Sequence, residues 1–421
     1  MHPNALLDLS TDLLRAALKF DQPADAVVSA FFRQHRGLGP RERHALAETL
    51  YAVLRQRLVL QHLAQSGVGP LERRLAMLAW QGNEVFLRGA LDEHERQWLA
   101  EVQAVDRSTL PAKLRHNLPD WLAGALQAQV GDAEFWPLVQ ALEAPAPLDL
   151  RVNTLKARRE DVQRGLSDCG IEARATPFSP WGLRVQGKPA VNKAELFTQG
   201  AIEVQDEGSQ MLALLTDAKR GEMVVDFCAG AGGKTLALGA AMRSTGRLYA
   251  FDVSGHRLDA LKPRLARSGL SNVHPVQIAH ERDDRVKRLA GKIDRVLIDA
   301  PCSGLGTLRR NPDLKWRQSP KAIEELRAKQ LAILNSAARL LKPGGRLVYA
   351  TCSLLRAENE EVVAAFDAGE RGADFTPLPV LELLQALKVE GAAALVSAAN
   401  LRLWPHRHQT DGFFAAVWQR R

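Results

Sequence analysis

VVDFCAGAGGKT, residues 224–235, passes from a short apolar run through a glycine-rich turn into the start of a helical pattern. Gly230, Gly232 and Gly233 carry no Cβ, so the backbone there can turn sharply and come close to a ligand. A helix that begins near Lys234 offers unpaired N–H groups to an anionic or carboxylate-bearing ligand. Outward from this turn, apolar runs recur as MVVDFC, RLYAFD, VHPVQI, DRVLIDAP and RLVYATC. Helical segments such as HRLDALKPRLARSGL and SPKAIEELRAKQLAILNSAARLL separate most of them. This alternation predicts an α/β fold: a doubly wound, mainly parallel, Rossmann-like sheet with helices on both faces. The last run, DGFFAAVWQ, is expected to close the sheet as an edge strand.

The segments upstream differ. Val27, Val28, Phe31 and Phe32, then Leu46, Leu50, Val53, Leu54 and Leu58, recur at helical spacing. Residues 1–142 are therefore expected to form an all-α domain. Pro145 and Pro147 in EAPAPLDLRVNT break that pattern. LDLRVNT and GLRVQG flank a helical KARREDVQRGLSDCG, which predicts a small α+β module over 143–205. Residues 206–421 then hold the main sheet.

Composition narrows the class. The chain has 421 residues, 46% hydrophobic and 25% charged, enough for two or three domains. No apolar run reaches the ~18 residues of a membrane span, and the N-terminus lacks the order of a signal peptide. A cytoplasmic protein is expected, with its four cysteines as reduced thiols and no membrane partner. Fifty-six Lys and Arg against 48 Asp and Glu leave a net charge of +8, compatible with a polyanionic partner.

The turn itself separates three cofactors. A phosphate-binding P-loop needs GxxxxGK[ST], and its opening glycine falls where Cys228 stands. A dinucleotide turn needs GxGxxG, and counted from Gly230 its last glycine is Thr235. S-adenosylmethionine, with one nucleoside and one amino-acid carboxylate, fits best. Asp252 closes RLYAFD beside this turn and is suited to accept hydrogen bonds from ribose hydroxyls.

Two cysteines stand at strand ends: Cys302 after DRVLIDAP and Cys352 closing RLVYATC. Carboxyl ends of strands in a doubly wound sheet line one crevice, so both thiols are expected to face the cofactor turn. Metal is not expected, because two thiols without CxxC spacing leave ligands missing, and His406 and His408 have no matching cluster. A thiol pair beside a methyl donor suits methylation of a pyrimidine at C5. Thiolate addition to C6 makes C5 enamine-like, and the reaction splits into two easier steps.

DFCAGAGGKT, DAPCSGLGTLRRNPDLKW and YATCSLLRAENEEVV resemble the motifs of the RsmB/Sun family of RNA cytosine-C5 methyltransferases. QDEGSQ at 205–210 and HRHQTDGFFAAVW at 406–418 fit as well, so the resemblance covers about residues 145–421. It implies that Cys352 is the nucleophile, that Cys302 assists product release and that Asp299 holds and helps protonate the cytosine edge. By the same resemblance Cys228, Ala229, Gly230, Ala231, Gly232, Gly233 and Lys234 form the S-adenosylmethionine loop, with Asp252 on the ribose and Asp299 nearby. The family places an Asp beside the adenine after the third strand. Here His280 stands in its place, with Glu281, Asp283 or the backbone as substitutes. DNA cytosine methyltransferases attack with the cysteine of the PC motif, so Thr351-Cys352 argues for RNA and against DNA.

RERHALAETLYAVLRQRLVLQHL, residues 41–63, is similar to the NusB-like domain that precedes the catalytic domain in bacterial members. That implies an RNA-binding helical domain and 16S ribosomal RNA, or a small-subunit precursor, as substrate. Transfer RNA with the same chemistry is the enzyme alternative, and a non-catalytic RNA-binding or assembly factor the rival from another class. A monomer is expected. Arg309, Arg310, Lys315 and Arg317 around Trp316 suit phosphates and a splayed base, or else a solvated loop with a packed Trp.

Overall fold

A computed structural model describes residues 2–421, which divide into two compact units. One comprises the residues up to Ala144 together with Leu308–Ser319, and the other Pro145–Thr307 with Pro320–Arg421.

The first unit is helical. Its longest helix, Pro40–Arg55, starts with a proline whose missing N–H costs nothing at that position and with Glu42 reaching back to the Gly39 N–H. Leu46, Leu50, Val53 and Leu54 lie on one face of it and are fully buried. They pack with Leu7, Leu13 and Leu14 of the helix Pro3–Ala17 and with Leu75 of Leu71–Leu78. The segment Leu308–Ser319 completes this unit. Its Asp313 accepts the Ala24 N–H at 3.2 Å, Lys315 Nζ donates to Arg55 O at 2.7 Å, and Trp316 Nε1 donates to Leu54 O at 2.8 Å. Lys315 is buried, so its charge and the neighbouring Trp are spent inside this unit.

The second unit begins with a small antiparallel sheet of β1 (Leu148–Val152), β2 (Ala173–Ala175), β3 (Gly182–Val185) and β4 (Ile202–Val204), in the order β2-β3-β1-β4. The helix Arg159–Asp168 covers it through Val162 and Leu166. QDEGSQ joins this sheet to the next helix, Glu207–Thr216, through buried polar groups. Glu207 accepts the Phe178 and Ser179 N–H groups, Gln210 donates to Leu150 O and Gln205 O, and Asp149 pairs with Arg184 at 2.7 Å.

The main sheet follows. Its strands are β5 (Met223–Phe227), β6 (Arg247–Asp252), β7 (Val273–Gln277), β8 (Ile293–Asp299), β9 (Leu341–Thr351), β10 (Phe375–Pro377), β11 (Val396–Ser397), β12 (Asn400–Leu403) and β13 (Phe413–Arg420). The order is β11-β12-β13-β9-β8-β5-β6-β7, with β10 also on β13. β5 through β9 pair in parallel, as the alternating pattern predicts. The chain runs outward from β5 through β6 to β7, then returns to β8 on the other side of β5. That reversal opens a crevice at the carboxyl ends of β5 and β8, where such sheets bind ligands.

β13 differs from its expected place at an edge. It lies inside the sheet, antiparallel to β9 on one side and to β12 and β10 on the other. Phe413 to Trp418 are buried without alternation, as they must be in a strand covered on both faces and flanked on both sides. Among the described residues no helix is long and apolar enough to cross a membrane.

Candidate active site

The glycine turn leaves β5 at Phe227. Cys228, Gly230 and Gly232 all take positive φ, at 72°, 57° and 81°. Gly232 suits that φ, which L side chains rarely adopt, and a Cβ there would also stand 2.2 Å from Leu261 Cδ1. Gly230 faces open space, with nothing within 4 Å of where its Cβ would be. The helix Gly233–Ala241 starts directly after the turn. Ala229 donates to Phe251 O at 2.8 Å, and Arg264 Nη1 donates to Ala231 O at 2.6 Å, so the turn is held from both sides. Cys228 packs against the core beside Phe227, and burial pushes its thiol well above the ordinary range.

Asp252, at the end of β6, reaches this turn. One carboxylate oxygen accepts the Gly230 N–H at 2.8 Å and the other the Ser254 N–H at 2.7 Å. Each oxygen keeps a lone pair for a hydroxyl donor. An open glycine turn, a helix start and a carboxylate fixed beside them fit a nucleoside that carries an amino-acid carboxylate. Beyond β7, His280 is exposed and its Nδ1 accepts the Arg282 N–H at 3.1 Å. Asp283 caps the same loop by accepting the Ala279 and Arg285 N–H groups at 2.9 Å each, which holds its carboxyl below the usual range.

The ends of β8 and β9 carry Asp299 and the two cysteines. The two cysteine sulfurs stand 3.3 Å apart. The hydrogen bond with Cys352, and burial after it, raise the Cys302 thiol well above its ordinary value. Asp299, at the end of β8, pairs with Lys234 Nζ at 2.7 Å. Burial disfavours the Lys234 ammonium, yet Asp299, with Cys352 and Asp226, outweighs it and leaves the amine more basic than usual. Lys234, expected in the cofactor loop, thus directs its charge to Asp299. The structure brings Cys302, Cys352, Asp299 and Lys234 to neighbouring strand ends beside the glycine turn, with Asp252 on the turn's far side.

Some residues here went unassigned in the sequence. Gly306 donates to Cys352 O and Gly412 donates to Gly306 O, both at 2.8 Å, which locks the two cysteine turns and the Gly412 turn together. Glu358 and Gln330 lie behind the cysteines. The two glycines and the glutamate stand inside the quoted motifs, but their partners lie far along the chain. Cys169 is exposed at the end of Arg159–Asp168.

Comparison with known proteins bears on this arrangement. Residues 213–419 match the family described as 16S rRNA methyltransferase RsmB/F, and residues 118–192 match the RsmF/B-like ferredoxin-like domain. A probable ribosomal RNA small subunit methyltransferase B of Synechocystis is 30% identical, covering 96% of this chain and 97% of the relative. The chain belongs to the RsmB/F methyltransferase family. A Bacillus subtilis protein of the same description is 32% identical over 79% of this chain and 73% of its own. Among solved structures, PH0851 covers 100% of this chain at TM-score 0.79 and 26% identity. A methyltransferase homologue from Pyrococcus horikoshii covers 75% at TM-score 0.62 and 30% identity. The family is S-adenosylmethionine-dependent.

Proposed function

We propose that this chain methylates cytosine at C5 in RNA, with small-subunit ribosomal RNA as substrate. The observation that carries the chemistry is the sulfur pair at 3.3 Å, set beside the Lys234–Asp299 ion pair. When bound, S-adenosylmethionine supplies an electrophilic methyl group. Gly230, Gly232, Gly233 and the helix start would cradle it, Asp252 would take the ribose hydroxyls, and His280 would border the adenine.

Cys352 adds to C6 of the cytosine, forming an S–C6 bond and making C5 nucleophilic. Asp299 lies at the base's polar edge, and Lys234 holds that carboxylate in place. Cys302 keeps its proton at neutral pH, since both its hydrogen bond and its burial oppose ionisation. The family resemblance makes Cys352 the nucleophile, and the raised Cys302 thiol suits the proton-bearing partner. After methyl transfer a water molecule takes the C5 proton, the S–C6 electron pair returns to the Cys352 sulfur, and Cys302 assists release by giving its proton to that leaving thiolate.

The target base must leave its stack, so an RNA loop or a locally opened helix suits the site. Beside the small sheet a groove of about 580 Å³, lined in part by Arg174 and Lys188, suits an RNA backbone. The names of the curated relatives point to the small ribosomal subunit.

The test is incubation with labelled S-adenosylmethionine and total RNA from cells lacking the gene. Label in small-subunit RNA that digests to 5-methylcytidine is expected. Label in transfer RNA would keep the chemistry and replace the substrate. Cofactor binding without label in any RNA would favour an assembly factor. Cys302→Ala is expected to leave a covalent RNA–protein adduct that runs slowly on a denaturing gel, and Cys352→Ala to abolish both turnover and adduct.

A further inference from the structure

Glu358 follows β9 in a short turn and is fully buried, yet the chemistry above gives it no role. Its Oε1 accepts the Ser303 N–H at 2.8 Å and Gln330 Nε2 at 3.0 Å. Its Oε2 accepts the Ser303 hydroxyl at 2.5 Å and the Ser353 hydroxyl. Ser303 and Ser353 directly follow Cys302 and Cys352, and their hydroxyls are 3.2 Å apart. Gln330 also donates to Pro301 O at 3.0 Å, just before Cys302. The Glu358 backbone is pinned as well: Tyr349 donates its hydroxyl to the Glu358 carbonyl at 2.7 Å, and the adjacent Asn359 donates to Ser353 O at 3.0 Å.

A buried carboxylate is costly unless its lone pairs are engaged. Here they are engaged by donors from two different turns. A carboxylate accepts on both oxygens, whereas an amide would force the Ser303 and Ser353 hydroxyls to turn round and accept, weakening the tie. We propose that Glu358 is a positioning residue: its buried carboxylate ties the Cys302 turn to the Cys352 turn and thereby sets how closely the two sulfurs approach. The spacing claim stands apart from the cytosine chemistry; only its consequence for turnover rests on that reading.

Sulfur spacing can be read without RNA. Diamide closes a disulfide between neighbouring thiols: each cysteine gives up a proton and an electron, the S–S bond forms, and diamide takes up both electrons and both protons to become the hydrazine. The full-length protein, Glu358→Gln and Ser353→Ala would be treated with diamide, alkylated and digested, and the Cys302–Cys352 disulfide followed by mass spectrometry. S-adenosylmethionine affinity reports whether each variant is folded.

In Glu358→Gln the disulfide is expected to form about tenfold more slowly, the equivalent of a charge-assisted hydrogen bond exchanged for a neutral one. Cofactor affinity should be unchanged, with a smaller slowing in Ser353→Ala. Methyl transfer should lose kcat while KM for RNA holds. Wild-type disulfide rates in variants that bind cofactor would overturn the proposal. If Glu358→Gln fails to bind cofactor, Ser353→Ala decides by the same rate. A slowed disulfide with undiminished methyl transfer would uphold the positioning role and count against the thiol chemistry.

Discussion

Asp226 sits fully buried near the end of β5. One oxygen accepts the Thr235 hydroxyl at 2.6 Å, and the other has no partner among the described residues. Burial lifts its pKa from 3.8 to about 7, against the pull of that hydrogen bond. The native chain therefore holds a proton that the unfolded chain has lost between those two values. The stability this group contributes is present below its unfolded pKa and drains away as pH rises through about 7. Asp226→Asn keeps an acceptor for Thr235 and removes the titration. Its urea midpoint is expected to fall less than the parent's between pH 4 and 7, and to exceed the parent's at pH 8. A slope identical to the parent's would place Asp226 among ordinary ionised carboxylates. The residue was visible inside VVDFCAGAGGKT; its burial was not, because a strand's cover depends on helices that the motif does not contain.

The turns at the carboxyl ends of β8 and β9 meet a third turn at Gly412, and two glycines make the meeting possible. A Cβ on Gly306 would lie 2.1 Å from Gly412 O and 2.8 Å from Cys352 O, both backbone atoms. A Cβ on Gly412 would meet mainly the end of the Leu354 side chain, at 2.4 Å. Side-chain ends move more cheaply than backbone, so the two substitutions should rank. Gly306→Ala is expected to cost roughly 1–3 kcal/mol, as overpacking does, and to lose methyl transfer; Gly412→Ala should cost less. Urea unfolding and labelled turnover check both, and the reverse order would mean the three turns are not packed this way. The strands themselves were legible because apolar runs alternate with helical periods along the chain. The cysteines were legible because each closes or follows such a run. What escaped was non-local: DGFFAAVWQ reads as a strand, but its inner position depends on β10 and β12. Gly306 finds its partner in Gly412, on a segment well beyond the Cys352 motif.

At the scale of the whole chain, Leu308–Ser319 leaves the catalytic unit shortly after Cys302 and folds as part of the helical unit. Its basic and aromatic residues suggested a nucleic-acid contact, whereas Lys315 and Trp316 satisfy carbonyls at the end of Pro40–Arg55. The Arg57 guanidinium lies 5.1 Å from the Trp316 ring centroid. Lys315 is buried, and burial pulls its pKa down to about 7 in spite of Glu143. Charge patterning could not foretell this, since a basic loop reads alike whether it meets phosphate or backbone carbonyls. Trp316→Ala removes an indole from a partly packed site together with its hydrogen bond, a loss on the order of 2 kcal/mol or more. Because those contacts belong to the helical unit, the weakening should be local. Amide exchange in Pro40–Arg55 is expected to accelerate, while S-adenosylmethionine affinity, built from residues of the other unit, stays at the parent's value. Uniform loss of protection across both units would show that the two unfold as one. Unchanged exchange in Pro40–Arg55 would show that Leu308–Ser319 is a passenger there and contributes nothing to the helices it touches.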